Sequence, residues 1–114
     1  MRTTLNFDKV AAKFQKQRRA PQLFGLLAET FKTLGDTSRV QIVWVLAHGE
    51  LCVGDIAVLL KMSPSAVSHH LRTLRNMNLV RVRRAHRQQF YSLDDKHIVH
   101  LLDEGIEHVE DLLN

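Results

Sequence analysis

One stretch of this chain departs from the helical spacing of its apolar residues, and this departure restricts the fold more than any other feature. Apolar residues recur at helical spacing up to Asn78, but they alternate with polar residues in segments 79–83 and 89–93. A period near 3.6 is typical of amphipathic helices, and a period of two is typical of half-buried strands. The sequence therefore predicts a mainly helical fold with one small β-hairpin, whose basic tip is the segment 84–88.

Two short helices joined by a tight turn precede this hairpin. The first is expected over residues 54–60, and residues 61–63 form the turn. Ser63 supplies an N-cap and Pro64 takes the first helical position, where a missing N–H is tolerated, so the second helix is expected over residues 64–76. Two short helices with such a turn are typical of a helix-turn-helix, and the hairpin that follows is predicted to be its wing.

Four more segments show helical spacing, and the whole chain is predicted to be a single winged helix-turn-helix domain over residues 1–114. A chain of this length is too short for two domains of ordinary size. The four helical segments are residues 6–19, 22–33, 38–47 and 96–113. The inward-facing residues expected in the second of them are Leu23, Leu26, Leu27 and Phe31. Residues 50–53 are expected to be extended.

Charge is segregated along the chain. No acidic residue lies between Ile56 and Leu93, whereas the segment from Asp94 to the end is strongly acidic. A basic middle suits a polyanion such as DNA, and an acidic end suits a cation or a basic partner surface. Two solvated faces without a partner would show the same segregation, so charge alone leaves both interpretations open.

The composition also restricts where this chain is expected to work. Its apolar runs are shorter than the roughly 20 residues that a membrane span needs, and its first residues lack the apolar core of a signal peptide. Its one cysteine, Cys52, cannot form an internal disulfide and is interpreted as a small core residue. We therefore expect a cytoplasmic protein.

The outer face of the second helix of the helix-turn-helix is predicted to bind double-stranded DNA. An α-helix fits the major groove, and polar side chains on its first turns reach the base edges. Taken singly, the serines could be helix-start residues and the histidines solvated surface residues. Their combination with the turn, the wing and the absence of acids favours DNA binding. The predicted DNA-binding residues are Ser65, Ser68, His69 and His70 near bases, Arg72 and Arg75 near phosphates, and Arg84 and Arg87 on the wing.

Two pairs of potential metal ligands stand at the two ends of the last helix. His97 and His108 are eleven residues apart on one face, which separates them by about 16 Å along a helix and prevents them from sharing an ion. His108 and Asp111 are three residues apart and can share one. Asp95 can join His97 only from a position off the helix, such as an N-cap. Each end of the helix therefore offers half a metal site.

Antiparallel packing of two copies of this helix would complete both half-sites. Asp95 and His97 of one chain would then meet His108 and Asp111 of the other, which gives two symmetric sites per homodimer. Two imidazoles and two carboxylates suit tetrahedral Zn(II), with Co(II) or Ni(II) also possible.

Other interpretations of these residues stay open at this point. Asp94 offers a rival register to Asp95, and His100 stands three residues after His97 as a substitute ligand. Without a metal, Asp95 would be only an N-cap and the histidines only surface residues. A metal-dependent hydrolase is poorly supported, because the sequence has neither a His-Glu-x-x-His motif nor a glycine-rich phosphate loop.

The sequence resembles the ArsR/SmtB family of metal-responsive repressors from Gln22 onward. Five segments carry the resemblance, namely residues 34–40 (LGDTSRV), 50–55 (ELCVGD), 63–71 (SPSAVSHHL), 74–80 (LRNMNLV) and 91–99 (YSLDDKHIV). The resemblance implies a dimer held by the N- and C-terminal helices, and a repressor that leaves an imperfect inverted-repeat operator when it binds metal.

The C-terminal part is similar to the zinc- and cobalt-sensing members of that family. In those members the motif Asp-x-His, ten residues, His-x-x-His/Glu forms an intersubunit metal site. Asp95, His97 and His108 match this motif, whereas Asp111 stands where Glu or His is usual. Toxic-metal sensors in the family carry Cys-x-Cys where this chain has Cys52 followed by Val53 and Gly54, so no thiolate site is expected.

Overall fold

The computed structural model describes residues 4–114, which form six helices and three short strands. The predicted fold class, mainly helical with a β-hairpin, is confirmed, and most predicted element ends differ from the observed ones by one to three residues. In chain order the elements are α1 (Leu5–Lys16), α2 (Pro21–Leu34), α3 (Thr37–Leu46), β1 (Leu51–Cys52), α4 (Val53–Leu60), α5 (Pro64–Asn76), β2 (Val80–Ala85), β3 (Gln88–Leu93) and α6 (Lys96–Leu113).

Local capping residues determine where the helices that matter for function begin. Ser63 Oγ accepts a hydrogen bond from the Ala66 N–H at 3.1 Å and caps α5. Asp95 Oδ1 accepts from the His97 N–H at 2.9 Å and caps α6. Such a cap satisfies an N–H that has no partner inside the helix, which contributes about 1 kcal/mol. Both caps were predicted from the sequence.

The core lies between α3, α4, α5 and the hairpin. It includes Ile42 of α3 and Ile56 of α4, which have no exposed surface. Val67, Leu71 and Leu74 form the inner face of α5 and are also fully buried. Because these three side chains anchor α5, its opposite face is held rigidly towards solvent.

A three-stranded antiparallel sheet in the order β1-β3-β2 forms the wing and its base. The extended segment predicted before α4 is β1, which pairs Cys52 with Phe90 of β3. The predicted five-residue tip is wrong in length, because pairing continues to Ala85 and Gln88. The turn is only His86 and Arg87, both with positive φ (52° and 66°), as in the tight turns that match the twist of paired strands.

Much of the apolar surface of α1, α2 and α6 is not covered within one protomer. The radius of gyration is 18.7 Å, against about 13 Å for a compact domain of this length. None of the described residues of α1 or α6 is buried. The residues of α2 expected to face inward are instead exposed, namely Leu23, Leu26, Leu27 and Phe31. None of the helices in residues 4–114 combines the length and apolar character that crossing a bilayer requires.

Candidate functional site

The outward face of α5 carries most of the polar residues predicted to bind DNA. Ser65, His69, Arg72 and Arg75 are exposed, and Ser68 is half-buried. These residues lie away from the buried face formed by Val67, Leu71 and Leu74, as the helical spacing predicted.

A concavity of about 280 Å³ lies between α5 and the wing. It brings Ser68, Arg72 and Arg75 of α5 together with Gln89 of β3. Gln89 was missed in the sequence analysis. The signal that could have found it is the hairpin register, in which Gln89 pairs directly with Arg84.

A second concavity, of about 740 Å³, lies between the wing and the start of α4. Arg84 and Arg87 line it together with Gln88, Gln89 and the backbone around Gly54. Within residues 4–114, no acidic side chain lines either concavity. We call the two together the basic face, and Val53 and Gln89 belong to both of its halves. A surface of this charge and shape can hold an anionic polymer along its length.

His70 does not share the outer face with the other predicted DNA-binding residues. It follows Val67 by three residues and precedes Leu74 by four, so it lies beside both on the helix surface. The residue is half-buried, and its Nδ1 is enclosed without a hydrogen-bond partner among the described residues. Its predicted outward placement is therefore wrong.

The side of α5 that carries His70 lies near Asp36, the N-cap of α3. There the backbone N–H of Arg39 donates to Asp36 and holds the pKa of that carboxyl below its usual value, and the nearby His70 lowers it further. His70 is thus partly enclosed by the domain and is not a freely exposed residue of the outer face.

An ion pair joins the base of the wing to the segment before β1. Arg83 Nη2 lies 2.6 Å from Glu50 Oε1, and Arg83 Nε donates to Glu50 Oε2 at 3.1 Å. The same guanidinium lies 5.1 Å from the centre of the Phe90 ring. Because this bidentate pair neutralises Arg83, that arginine is withdrawn from the basic face. The hydrogen bond from Arg83 holds the pKa of Glu50 below its ordinary value of 4.5.

This ion pair is expected to make stability depend on pH in acid. A carboxyl with a lowered pKa stabilises the folded state above its unfolded pKa, and that contribution is lost as pH falls through the folded pKa. We expect Glu50→Gln to unfold at a lower temperature than the unmodified chain at pH 7, with the difference shrinking progressively below about pH 4.5. Thermal unfolding between pH 7 and pH 3 measures this. Glu29→Gln is the control, since Glu29 forms no ion pair in residues 4–114. A difference that stays constant down to pH 3 would contradict the prediction.

The N-terminal end of α6 brings Asp95 and His97 together. His97 Nδ1 lies 3.5 Å from Asp95 Oδ1. The side chain of His97 is 92% exposed, and that of Asp95 is 50% exposed. Asp95 reaches His97 because it stands off the helix as the N-cap, as the sequence analysis required. Asp94 does not cap α6; its backbone N–H donates to the carbonyl oxygen of Leu79 at 3.1 Å.

His108 and Asp111 are exposed near the other end of α6, and His100 is exposed between the two pairs. Across the described part of the chain, no three His, Cys, Asp or Glu side chains lie close enough to hold a metal ion. One protomer therefore presents two separate pairs of potential ligands, which we call the Asp95–His97 pair and the His108–Asp111 pair.

Comparisons with known proteins agree with this architecture. A family model described as a bacterial regulatory protein of the arsR family matches residues 36–82. The chain is 46% identical over 85 residues to a transcriptional repressor SmtB homolog of Synechocystis. The match covers 75% of this chain and 64% of that protein, so the chain spans less than two thirds of the length of this relative. It is 48% identical over 86 residues to the HTH-type transcriptional regulator NmtR of Mycobacterium tuberculosis, covering 75% of this chain and 72% of NmtR.

A solved structure shows the same fold. The homodimeric winged helix-turn-helix DNA-binding domain Mb0332 from Mycobacterium bovis, a possible ArsR-family transcriptional regulator, superimposes with a TM-score of 0.76 at 26% identity. The superposition covers 85% of this chain and 93% of that domain.

Proposed function

Because this chain belongs to the arsR family of bacterial regulatory proteins, we propose that it is a homodimeric repressor that leaves its operator DNA when Zn(II) binds between its subunits. The chain is a winged helix-turn-helix transcriptional regulator and not an enzyme.

The observation that carries the proposal is the division of the ligands between the two ends of α6. Each end presents one imidazole and one carboxylate, and no third ligand lies close to either pair in the described residues. Two ligands are too few for a stable zinc site, which normally has four. Antiparallel packing of α6 against its copy would bring each Asp95–His97 pair to the His108–Asp111 pair of the other protomer.

The uncovered apolar surface supports a dimer. A groove of about 470 Å³ between α2, α3 and α6 is almost entirely apolar. Phe31 of α2 and Leu101 and Val109 of α6 line it and are exposed. Contiguous apolar surface of this kind marks an interaction site, and the similar Mb0332 domain is homodimeric.

The chemistry of the donors fits Zn(II). Two imidazoles and two carboxylates supply four nitrogen or oxygen ligands and balance the charge of a divalent ion. Asp95 Oδ1 already accepts two backbone hydrogen bonds at the start of α6, and Oδ2 accepts none among the described residues. Zn(II) would supply a cross-link between subunits here, with Co(II) or Ni(II) as possible replacements.

The position of Asp95 explains how such a cross-link would reach the DNA-binding elements. Asp95 follows β3 of the wing after one residue, and that residue, Asp94, is hydrogen-bonded to Leu79 just after α5. Holding Asp95 against the partner subunit would therefore constrain the base of the wing and the end of α5. In the metal-free dimer the two α5 helices would occupy successive major grooves of an imperfect inverted repeat, about 34 Å apart.

Titrating Zn(II) into a complex with fluorescently labelled operator tests the proposal. Site selection from random DNA would first identify the operator. We expect two ions to bind per dimer and DNA affinity to fall about 100-fold, the upper part of the usual range for coupling between two sites. Unchanged affinity would reject the metal mechanism. Equilibrium dialysis without bound zinc at micromolar concentration would favour a dimeric repressor of the same fold that responds to a non-metal signal or to none.

A further inference from the structure

The side chain of Gln89 lies where the two halves of the basic face meet. We propose that Gln89 donates a hydrogen bond from its amide nitrogen to a backbone phosphate of the bound DNA. This inference rests on the proposed binding of DNA to the basic face.

The orientation of the Gln89 amide is determined by a buried tyrosine. The hydroxyl of Tyr91 donates to Gln89 Oε1 at 3.2 Å. Tyr91 is only 9% exposed, and its backbone is paired with both Leu51 and Val82 in the centre of the sheet. With Oε1 accepting this bond, Nε2 carries two N–H donors, and neither makes a hydrogen bond among the described residues. Gln89 therefore presents free N–H donors from a strand that is held by the sheet.

The surroundings of Gln89 indicate an anionic acceptor. It shares one concavity with Arg72 and Arg75 and the other with Arg84 and Arg87. Four cationic groups around a neutral donor are suited to phosphate oxygens, which commonly accept hydrogen bonds from glutamine. The residues suited to read bases, Ser65 and His69, stand on the first turns of α5 and not on β3, which favours phosphate over a base as the partner of Gln89.

A neutral phosphate contact has a signature that distinguishes it from a cationic one. Loss of a neutral contact weakens binding to every DNA sequence equally. Because a neutral group neutralises no phosphate, the number of counterions released on binding stays the same, and so does the dependence of affinity on salt. We expect Gln89→Ala, which removes one contact from each protomer of the dimer, to reduce affinity for operator and for scrambled DNA by the same factor, about 25-fold, or about 5-fold per contact. Arg87→Ala should instead reduce the slope of log affinity against log salt by about 1.8, which is about 0.9 for each protomer.

Fluorescence anisotropy with both DNA duplexes at four salt concentrations measures these effects. Gln41→Ala is the matched control, because Gln41 is exposed on α3 and lines neither concavity. Tyr91→Phe keeps the packing but removes the hydroxyl, and we expect it to lower affinity about 2-fold, with circular dichroism confirming the fold.

Three results would count against the inference. Affinity of Gln89→Ala equal to that of Gln41→Ala would overturn it, and so would a loss confined to the operator, which would indicate base reading. Failure of the unmodified chain to bind either duplex would overturn the proposed function itself, and the inference with it.

Discussion

Replacing His108 with alanine is expected to abolish the release of operator by zinc while leaving the DNA affinity of the metal-free dimer unchanged. His108 supplies one of the two imidazoles of each proposed site, and it lies on α6, away from the basic face. Loss of one nitrogen ligand leaves three donors, two of them carboxylates, which bind zinc far more weakly. The zinc-dependent change in operator affinity should therefore fall from about 100-fold to none at micromolar zinc. Anisotropy of labelled operator with and without zinc measures both quantities.

His100→Ala is the matched control for this experiment. His100 is exposed on the same helix between the two ligand pairs, and it was the rival ligand in the sequence analysis. We expect it to keep the full zinc response, and we expect His97→Ala to lose it. A response that survives in His108→Ala but disappears in His100→Ala would show that the ligand register is wrong.

Val109→Asp is expected to convert the dimer into a folded monomer that neither binds operator tightly nor completes a metal site. Val109 is 51% exposed and lines the apolar groove between α2, α3 and α6. A carboxylate buried unpaired in an apolar interface is strongly unfavourable, whereas in the separate protomer it would face water. A monomer holds only one half of the operator, so affinity should fall about 1,000-fold, within the range expected when two linked contacts become one. Analytical ultracentrifugation measures the oligomeric state, and circular dichroism checks the fold.

Val58→Asp is the control for the position of the interface. Val58 is also a valine on a helix and is 78% exposed, but it belongs to α4 and lies outside the groove. The same substitution there should leave the dimer intact. If Val109→Asp remains dimeric, the groove is not the interface and the pairing of ligands across α6 has no support.

Local features of the sequence were enough to predict the elements and most of the polar residues that line the basic face. Ser63 and Asp95 were identified as caps because a cap needs only its own helix start. The wing was identified because alternation over five residues is a property of one strand. His108 and Asp111 were paired because three residues of helix place them side by side.

Contacts between distant segments decided what these local features did not. His70 was expected on the outer face, but its side chain is half-buried and its Nδ1 is enclosed without a hydrogen-bond partner among the described residues. Gln89 was missed because its place beside Arg72 and Arg75 depends on how α5 and the wing come together. Arg83 is one of the basic residues between Ile56 and Leu93, and only the fold places Glu50 beside it.

The sequence by itself determined the order of the helices, the hairpin and the division of the potential ligands between the ends of α6, because spacing and capping act over a few residues. Only the tertiary structure decided which charges are neutralised, which polar groups reach the basic face and which apolar faces the protomer leaves uncovered. The physical reason is that these properties depend on burial, and burial is created by segments far apart in the chain coming together.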